Sequence, residues 1–307
     1  MPSDVDAASG RQVGLRHGEL TATLTEVGAG LRELAASGRP LLQSYGTDEI
    51  AAYGHGQVLL PWPNRVAGGA YEFGGRRLQL PLTEPEAGNA IHGLVRWLPW
   101  LVAAHEPDRA VFALVVHPQA GYPFRLALTV AYRLTAEGLR VTTIARNAGG
   151  DPLPYGCGFH PYLTVGTERI DDAVLHLRAG SRLQTDVAGI PTGARLPVAG
   201  TRWDFNSPRP IGDLALDTAF GDLERDGNGG FEVSLRSPDG PGVILRADAS
   251  HTYVMAFTGD TLPEPRRRRS LAIEPMTCAP DALRNGDGLI TLAPGESHRS
   301  SWSLHPV

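Results

Sequence analysis

The sequence predicts an all-β protein of antiparallel strands, closed as a sandwich or a barrel. Short stretches of period-two alternation recur along the whole chain, and 37 glycines and 25 prolines separate them. No stretch keeps the apolar periodicity of a long amphipathic helix. Repeated short strands bounded by turn residues are the material of antiparallel layered architectures.

In chain order, residues 1–14 are small and polar and are expected to be disordered. Residues 15–307 are expected to form a single domain, because no Pro-, Gly- or Ser-rich linker and no repeat of fixed period divides them. Residues 20–27 alternate small or apolar side chains with threonine, the pattern of a half-buried strand, and Gly28-Ala29-Gly30 ends it. Over Leu31–Ala36 periodicity does not separate strand from helical turn. Residues 69–80 read as a hairpin pivoting on Gly74-Gly75, which would hold Arg65 and His92 at the ends of neighbouring strands. Further strands are expected at 111–116, 126–134, 139–145, 174–178, 231–236, 243–247, 253–258, 271–274 and 300–304. The polar tract 201–210, with Trp203 and Phe205, is expected to be a long surface loop.

Composition removes several function classes. A formal net charge of −5 gives no general electrostatic attraction to nucleic acid or to an anionic membrane. The exception is Arg266-Arg267-Arg268-Arg269, which base rates for charge blocks assign to a solvated loop. Only Cys157 and Cys278 are present, which argues against a disulfide framework and for a reducing compartment. The first ten residues have neither a basic start nor an apolar run, and no later run approaches the ~18 apolar residues of a spanning helix. A cytoplasmic protein is expected.

Chemistry-bearing residues collect in a few places. Pro61-Trp62-Pro63-Asn64-Arg65 and Ala90-Ile91-His92-Gly93 set an amide, a guanidinium fork and an imidazole among residues that fix bends and let a ligand approach the backbone. Gly156-Cys157-Gly158-Phe159-His160-Pro161-Tyr162 places a histidine between glycines and a proline, with Phe159 and Tyr162 offering flat faces for a sugar ring. Glu274 ends an apolar strand stopped by Pro275 and shares a face with Ala272, not with Ile273, so it need not enter the core. Partly buried, such a carboxylate becomes a usable base. Asp217, flanked by leucine and small residues, is suited to accept from sugar hydroxyls or to cap a turn. Metal hydrolysis and nucleotide binding lack a foothold: there is no His-Glu-x-x-His, no paired Cys-x-x-Cys and no phosphate loop. The remaining histidines, His55 among them, are taken as surface or structural.

These motifs, in this order, resemble the aldose 1-epimerase (mutarotase) family, which includes the galactose mutarotases: Pro-Asn-Arg before a Gly-rich hairpin, Ile91-His92-Gly93, Gly158-Phe159-His160-Pro161-Tyr162, Leu216-Asp217, and Glu274-Pro275-Met276-Thr277 leading to Pro280-Asp281-Ala282 and Asn285. The resemblance implies a β-supersandwich of antiparallel sheets. By motif, Glu274 looks like the general base and His160 like the general acid, on opposite sides of the sugar's C1. Arg65, His92 and Asp217, with Asn64 and Tyr162, look like the groups that hold the sugar. Such an enzyme interconverts the α and β anomers of an aldohexose such as glucose or galactose. It needs no cofactor or metal, because the hemiacetal supplies its own electrophile. Its partner is a monosaccharide, and the protein would be a monomer or homodimer. A hexose-6-phosphate mutarotase, with Arg96 or the arginines at 266–269 meeting the phosphate, is the alternative, and a non-catalytic carbohydrate-binding protein is another.

Overall fold

Period-two alternation builds two large antiparallel sheets in the computed structural model, which describes residues 7–307. The nine-stranded sheet runs, neighbour to neighbour, through Leu101–Glu106, Arg109–Val116, Leu126–Thr135, Gly138–Asn147, Ser297–Pro306, Gly242–Ala247, Phe231–Arg236, Val174–Leu177 and Phe205–Pro210. The eight-stranded sheet runs through Pro191–Pro197, Ala179–Thr185, Asp217–Leu223, Tyr253–Phe257, Leu271–Met276, Gly158–Phe159 and Val58–Leu59, and Tyr162–Leu163 also pairs with Leu271–Met276. Four N-terminal strands form a further sheet. The sequence-based expectation of an all-β antiparallel sandwich holds.

Alternation sends one face of each strand into a shared core. Ile273, Val254, Ala256 and Phe220 from the eight-stranded sheet join Phe112, Val130, Tyr132, Val141, Leu245 and Leu304 from the nine-stranded one. Burying one such side chain contributes about 1.5–3 kcal/mol. The opposite face of the eight-stranded sheet carries Asp217, Phe257, Ala272 and Glu274, so a one-residue slip of Leu271–Met276 would exchange Ile273 for a carboxylate in the core.

Three expectations are corrected and one open choice is settled. Residues 1–6 lie outside the described residues, but the rest of the stretch expected to be disordered is placed: the Ala8 N–H donates to the Thr47 carbonyl and a strand starts at Gln12, where Val13 and Leu15 enter the core. Leu31–Ala36 is a strand, paired with Leu20–Thr25. More than half of the tract 201–210 is an edge strand, Phe205–Pro210, because Phe205 is fully buried and Arg209 pairs opposite Leu175. Pro275 does not stop its strand. The N–H groups of Ile273 and Thr277 point to the carbonyls of Pro161 and Cys157, so Pro275 faces the same segment midway, where the chain kinks through His160 and requires no donor.

The arginine run lies in a loop, as expected, but only Arg267 is exposed. Arg268 is buried, with Nε donating to Asp171 (2.6 Å) and Nη1 to Asp260 (2.8 Å), while Arg266 pairs with Glu49 and Arg269 with Glu168. These bonds tie down the loop that carries Thr261 and Leu262.

Candidate active site

Two pairs of cross-strand neighbours, far apart in sequence, build the site. Gly158 pairs with Met276 and Tyr162 with Ala272, so in the shared register His160 falls directly opposite Glu274. Opposed side chains on one face of a sheet lie within reach of each other, and His160 Nε2 stands 3.3 Å from Glu274 Oε1. The second pair follows from Arg65 opposing Ile91. One step on, Asn64 opposes His92, and both sit in the left-handed region (φ 55° and 62°), which turns the chain toward the cavity.

The backbone N–H of Asn64 donates to His92 Nδ1 (3.2 Å) and the N–H of His92 to the Asn64 carbonyl (3.0 Å). A nitrogen that accepts carries no proton, so neutral His92 bears its hydrogen on Nε2. Burial, and then the positive charges of its neighbours, holds His92 well below the ordinary histidine pKa and keeps it neutral. The Asn64 amide oxygen accepts from the Arg65 N–H (2.9 Å).

Arg65 is clamped on two sides. Its Nε and Nη2 donate to the two oxygens of Glu84 (2.8 and 2.9 Å), and Nη1 lies 3.5 Å from Asp217 Oδ2. Asp281 fixes the backbone beneath it, its N–H donating to the Arg65 carbonyl (2.7 Å) and its Oδ1 accepting from the Ala67 N–H (3.0 Å). Gly189, at φ +75°, lies on the guanidinium, and a Cβ there would stand 2.5 Å from Nη1.

These groups line one cavity of about 280 Å³, at the small end of the ~300–1,000 Å³ range of ligand pockets. Asn64, Arg65, His92, His160, Tyr162, Asp217 and Glu274 all reach it, with Glu84, Arg96, Tyr53, Gly54, Phe257, Thr261 and Leu262. Burial is graded. Glu274 and His160 are 2% and 5% exposed, whereas the side chain of Asp217 keeps 49% of its surface open. Burial pushes the Glu274 carboxyl well above the usual carboxylate range, with Asp217 adding and Arg65 opposing. Burial also draws His160 down to about 3, helped by His55 and Arg96. Both directions favour a neutral pair that shares one proton. Glu274 Oε2 has no hydrogen-bond partner among the described residues.

Two expectations about stacking and placement change. Tyr162 has no free face for a sugar: its ring lies parallel to His55 at 3.8 Å and to His160 at 4.8 Å, and its hydroxyl donates to the Tyr53 carbonyl. Phe159 points the other way and packs on Trp302 in the core. Glu274 and His160 do not stand on opposite sides of a hollow. They touch, and the cavity lies to one side of the pair rather than between its members. Sequence reasoning missed Glu84, which sits in a loop with nothing to mark it, and treated His55 only as surface or structural. The glycines on either side of it, Gly54 and Gly56, allow close approach to the backbone there and were the available signal.

The family model described as aldose 1-epimerase matches residues 11–305. The chain belongs to the aldose 1-epimerase family. Among its relatives, YihR of Escherichia coli (strain K12), an uncharacterized protein, is 33% identical over 97% of this chain and 94% of its own length. The maltose epimerase of Levilactobacillus brevis is 28% identical over 78% of this chain and 76% of its own. A putative aldose 1-epimerase from Escherichia coli K12 superposes with a TM-score of 0.84 at 25% identity, covering 96% of this chain and 98% of that one. An aldose epimerase homologue from C. elegans superposes at 0.87 with 20% identity and the same coverage. The fold is therefore that of the galactose mutarotase-like epimerases, and the reaction class of the family is isomerisation at a sugar carbon.

Proposed function

We propose that the protein interconverts the α and β anomers of a free aldohexose, glucose or galactose, with Glu274 as general base and His160 as general acid. The observation that carries this reading is the contact between these two side chains at the floor of a sugar-sized cavity. In a pyranose the C1 hydroxyl and the ring oxygen are bonded to the same carbon, so the groups that serve them have to be neighbours. Glu274 takes the proton from the C1 hydroxyl, the C1–O5 bond breaks with its electrons going to O5, and His160 delivers a proton there. Rotation about C1–C2 and the reverse steps close the ring on the other face.

The pair enters and leaves each turnover with one proton. Its reactive form, carboxylate and imidazolium, differs from the neutral pair only by a proton moved across the 3.3 Å contact. The neutral His92 offers its Nε2–H to a sugar oxygen, and Arg65, pre-set by Glu84 and Asp217, presents the remaining donors. Asp217 accepts from hydroxyls at the open end, and Asn64 and Tyr162 close the wall.

Polarimetry on freshly dissolved α-glucose and α-galactose tests this. The parent protein speeds the approach to equilibrium, and Glu274→Gln and His160→Ala return it to the spontaneous rate. Equal acceleration by both variants would refute the assignment.

One observation favours a second reading. Arg96 lines the cavity and makes no ion pair among the described residues, whereas the arginines at 266, 268 and 269 are engaged by carboxylates of the fold. A sugar with an anionic substituent, such as a hexose 6-phosphate, would meet Arg96. A preference for glucose 6-phosphate over glucose that Arg96→Gln abolishes supports it.

A further inference from the structure

A buried catalytic imidazole is ordinarily oriented by a hydrogen bond at its second nitrogen. His160 has none: Nε2 meets Glu274, and Nδ1 is buried without a hydrogen-bond partner among the described residues. Its orientation comes from packing. The ring of Tyr162 covers it at 4.8 Å and 17°, and the edge-to-face ring of His92 lies at 5.4 Å and 79°.

Behind Tyr162 stands His55, parallel at 3.8 Å and 7°, and 1% exposed. One turn, Ala52–Gly54, serves all three stacked rings with successive residues. The Ala52 carbonyl accepts from His55 Nδ1 (2.8 Å) and the Tyr53 carbonyl from the Tyr162 hydroxyl (2.7 Å). Gly54, at φ +83°, lies so close to His160 that a Cβ would stand 2.6 Å from its Cδ2. Tyr53 itself is held at φ 55°, ψ 26°, a conformation unfavourable for a bulky residue and retained where function requires it.

We infer that His55, acting through Tyr162, is a positioning residue that fixes the imidazole of His160 by ring stacking. The inference rests on the anomerase reading for its kinetic consequence and on the ring geometry for its structural one. His55 touches no reacting atom. Its flat ring sets the plane of Tyr162, and Tyr162 sets the plane in which His160 meets Glu274. Burial draws His55 down to about 4, so near neutral pH it stacks as an uncharged ring.

The test compares His55→Phe, which keeps a flat ring, with His55→Leu, which keeps apolar volume without a plane. His55→Leu is expected to lower kcat for glucose anomerisation about ten- to a hundredfold with KM little changed, while His55→Phe stays within about threefold of the parent. A general packing role predicts instead that the two variants behave alike. Independently of turnover, the ring protons of His160 in histidine-labelled protein are shifted upfield by Tyr162 in the parent and in His55→Phe, and lose that shift in His55→Leu. Should His55→Leu not fold, His55→Gln keeps a donor for the Ala52 carbonyl and removes the plane, and is read in the same way. A folded variant without a ring at position 55 that retains parental kcat and the parental His160 shift overturns the inference. If the parent anomerises no aldohexose, the proposed function falls while the ring-proton shifts still decide the role of His55.

Discussion

The cavity over Glu274 and a recess on the outer face of the nine-stranded sheet are nearly the same size, about 280 and 270 Å³, and each is lined by a carboxylate that touches a histidine, His160 in the first and, buried behind the lining, His251 in the second. In the outer recess Asp248 meets His251 Nδ1 at 3.1 Å and also accepts from the N–H groups of Ser250 and Ser301 and from the Ser301 hydroxyl. Burial works against ionisation there, but the bonds from His251 and Ser301 prevail and hold Asp248 down to about 2. Glu274 receives no such bonds, one of its oxygens is unpartnered, and burial holds its carboxyl up. A carboxylate beside a histidine is thus saturated with donors in one place and starved of them in the other. A carboxylate with every lone pair engaged is a structural strut, and one left short of donors in a low-dielectric recess has a proton to exchange.

The sharpest way to break the comparison is Glu274→Gln. It is expected to lower kcat by about 10²–10⁴-fold, the usual share of one positioned acid or base. Stability moves the other way. A folded pKa raised above the unfolded value contributes stability at acid pH that is lost as pH rises, so the neutral amide relieves the parent of that loss. The melting temperature of Glu274→Gln should therefore exceed that of the parent by a margin that widens as pH rises above the ordinary carboxylate range.

The rate itself should follow a bell in pH, falling when the Glu274–His160 pair takes up a second proton and when it loses its last one. Because burial draws His160 down to about 3 and holds Glu274 up, the acid limb should lie well below the ordinary histidine range, and an acid limb near pH ~6 would count against a shared proton.

Arg65→Lys keeps the charge and removes the fork that Glu84 grips. A charge-assisted bond is worth about 1.5–3 kcal/mol, so KM should rise roughly tenfold or more, with a smaller change in kcat. Unchanged KM would place the sugar elsewhere.

The smallest expected effect is at the other recess. Asp248→Asn should leave kcat and KM alone and reduce stability by about 1 kcal/mol, since the side chain is 37% exposed and water screens part of the gain. The sign is opposite to that at Glu274: a depressed carboxylate stabilises above pH ~4, and the contribution fades as pH falls toward 2, so the parent and Asp248→Asn should converge in acid melts.

What the sequence made legible was residue chemistry on alternating strands. The face of Glu274 followed from its spacing to Ile273, and the hairpin at Gly74-Gly75 from its glycines. Register was not legible. That His160 lands opposite Glu274 depends on a ladder between segments more than a hundred residues apart, which local pattern does not encode. Arg268 was hidden for a related reason: four consecutive arginines look alike, and only the fold decides which of them meets Asp171 and Asp260. Tyr162 misled because an aromatic beside a histidine has the same signature whether its face meets a sugar or another ring.

Exchange NMR at the anomeric carbon of equilibrated glucose measures the central step without any net change in composition. With the parent protein, cross-peaks between the α and β C1–H signals should grow at a rate proportional to enzyme concentration, and with Glu274→Gln they should fall to the uncatalysed level. Parental exchange in a folded Glu274→Gln protein would contradict the account, because among the described residues no other carboxylate pairs with His160.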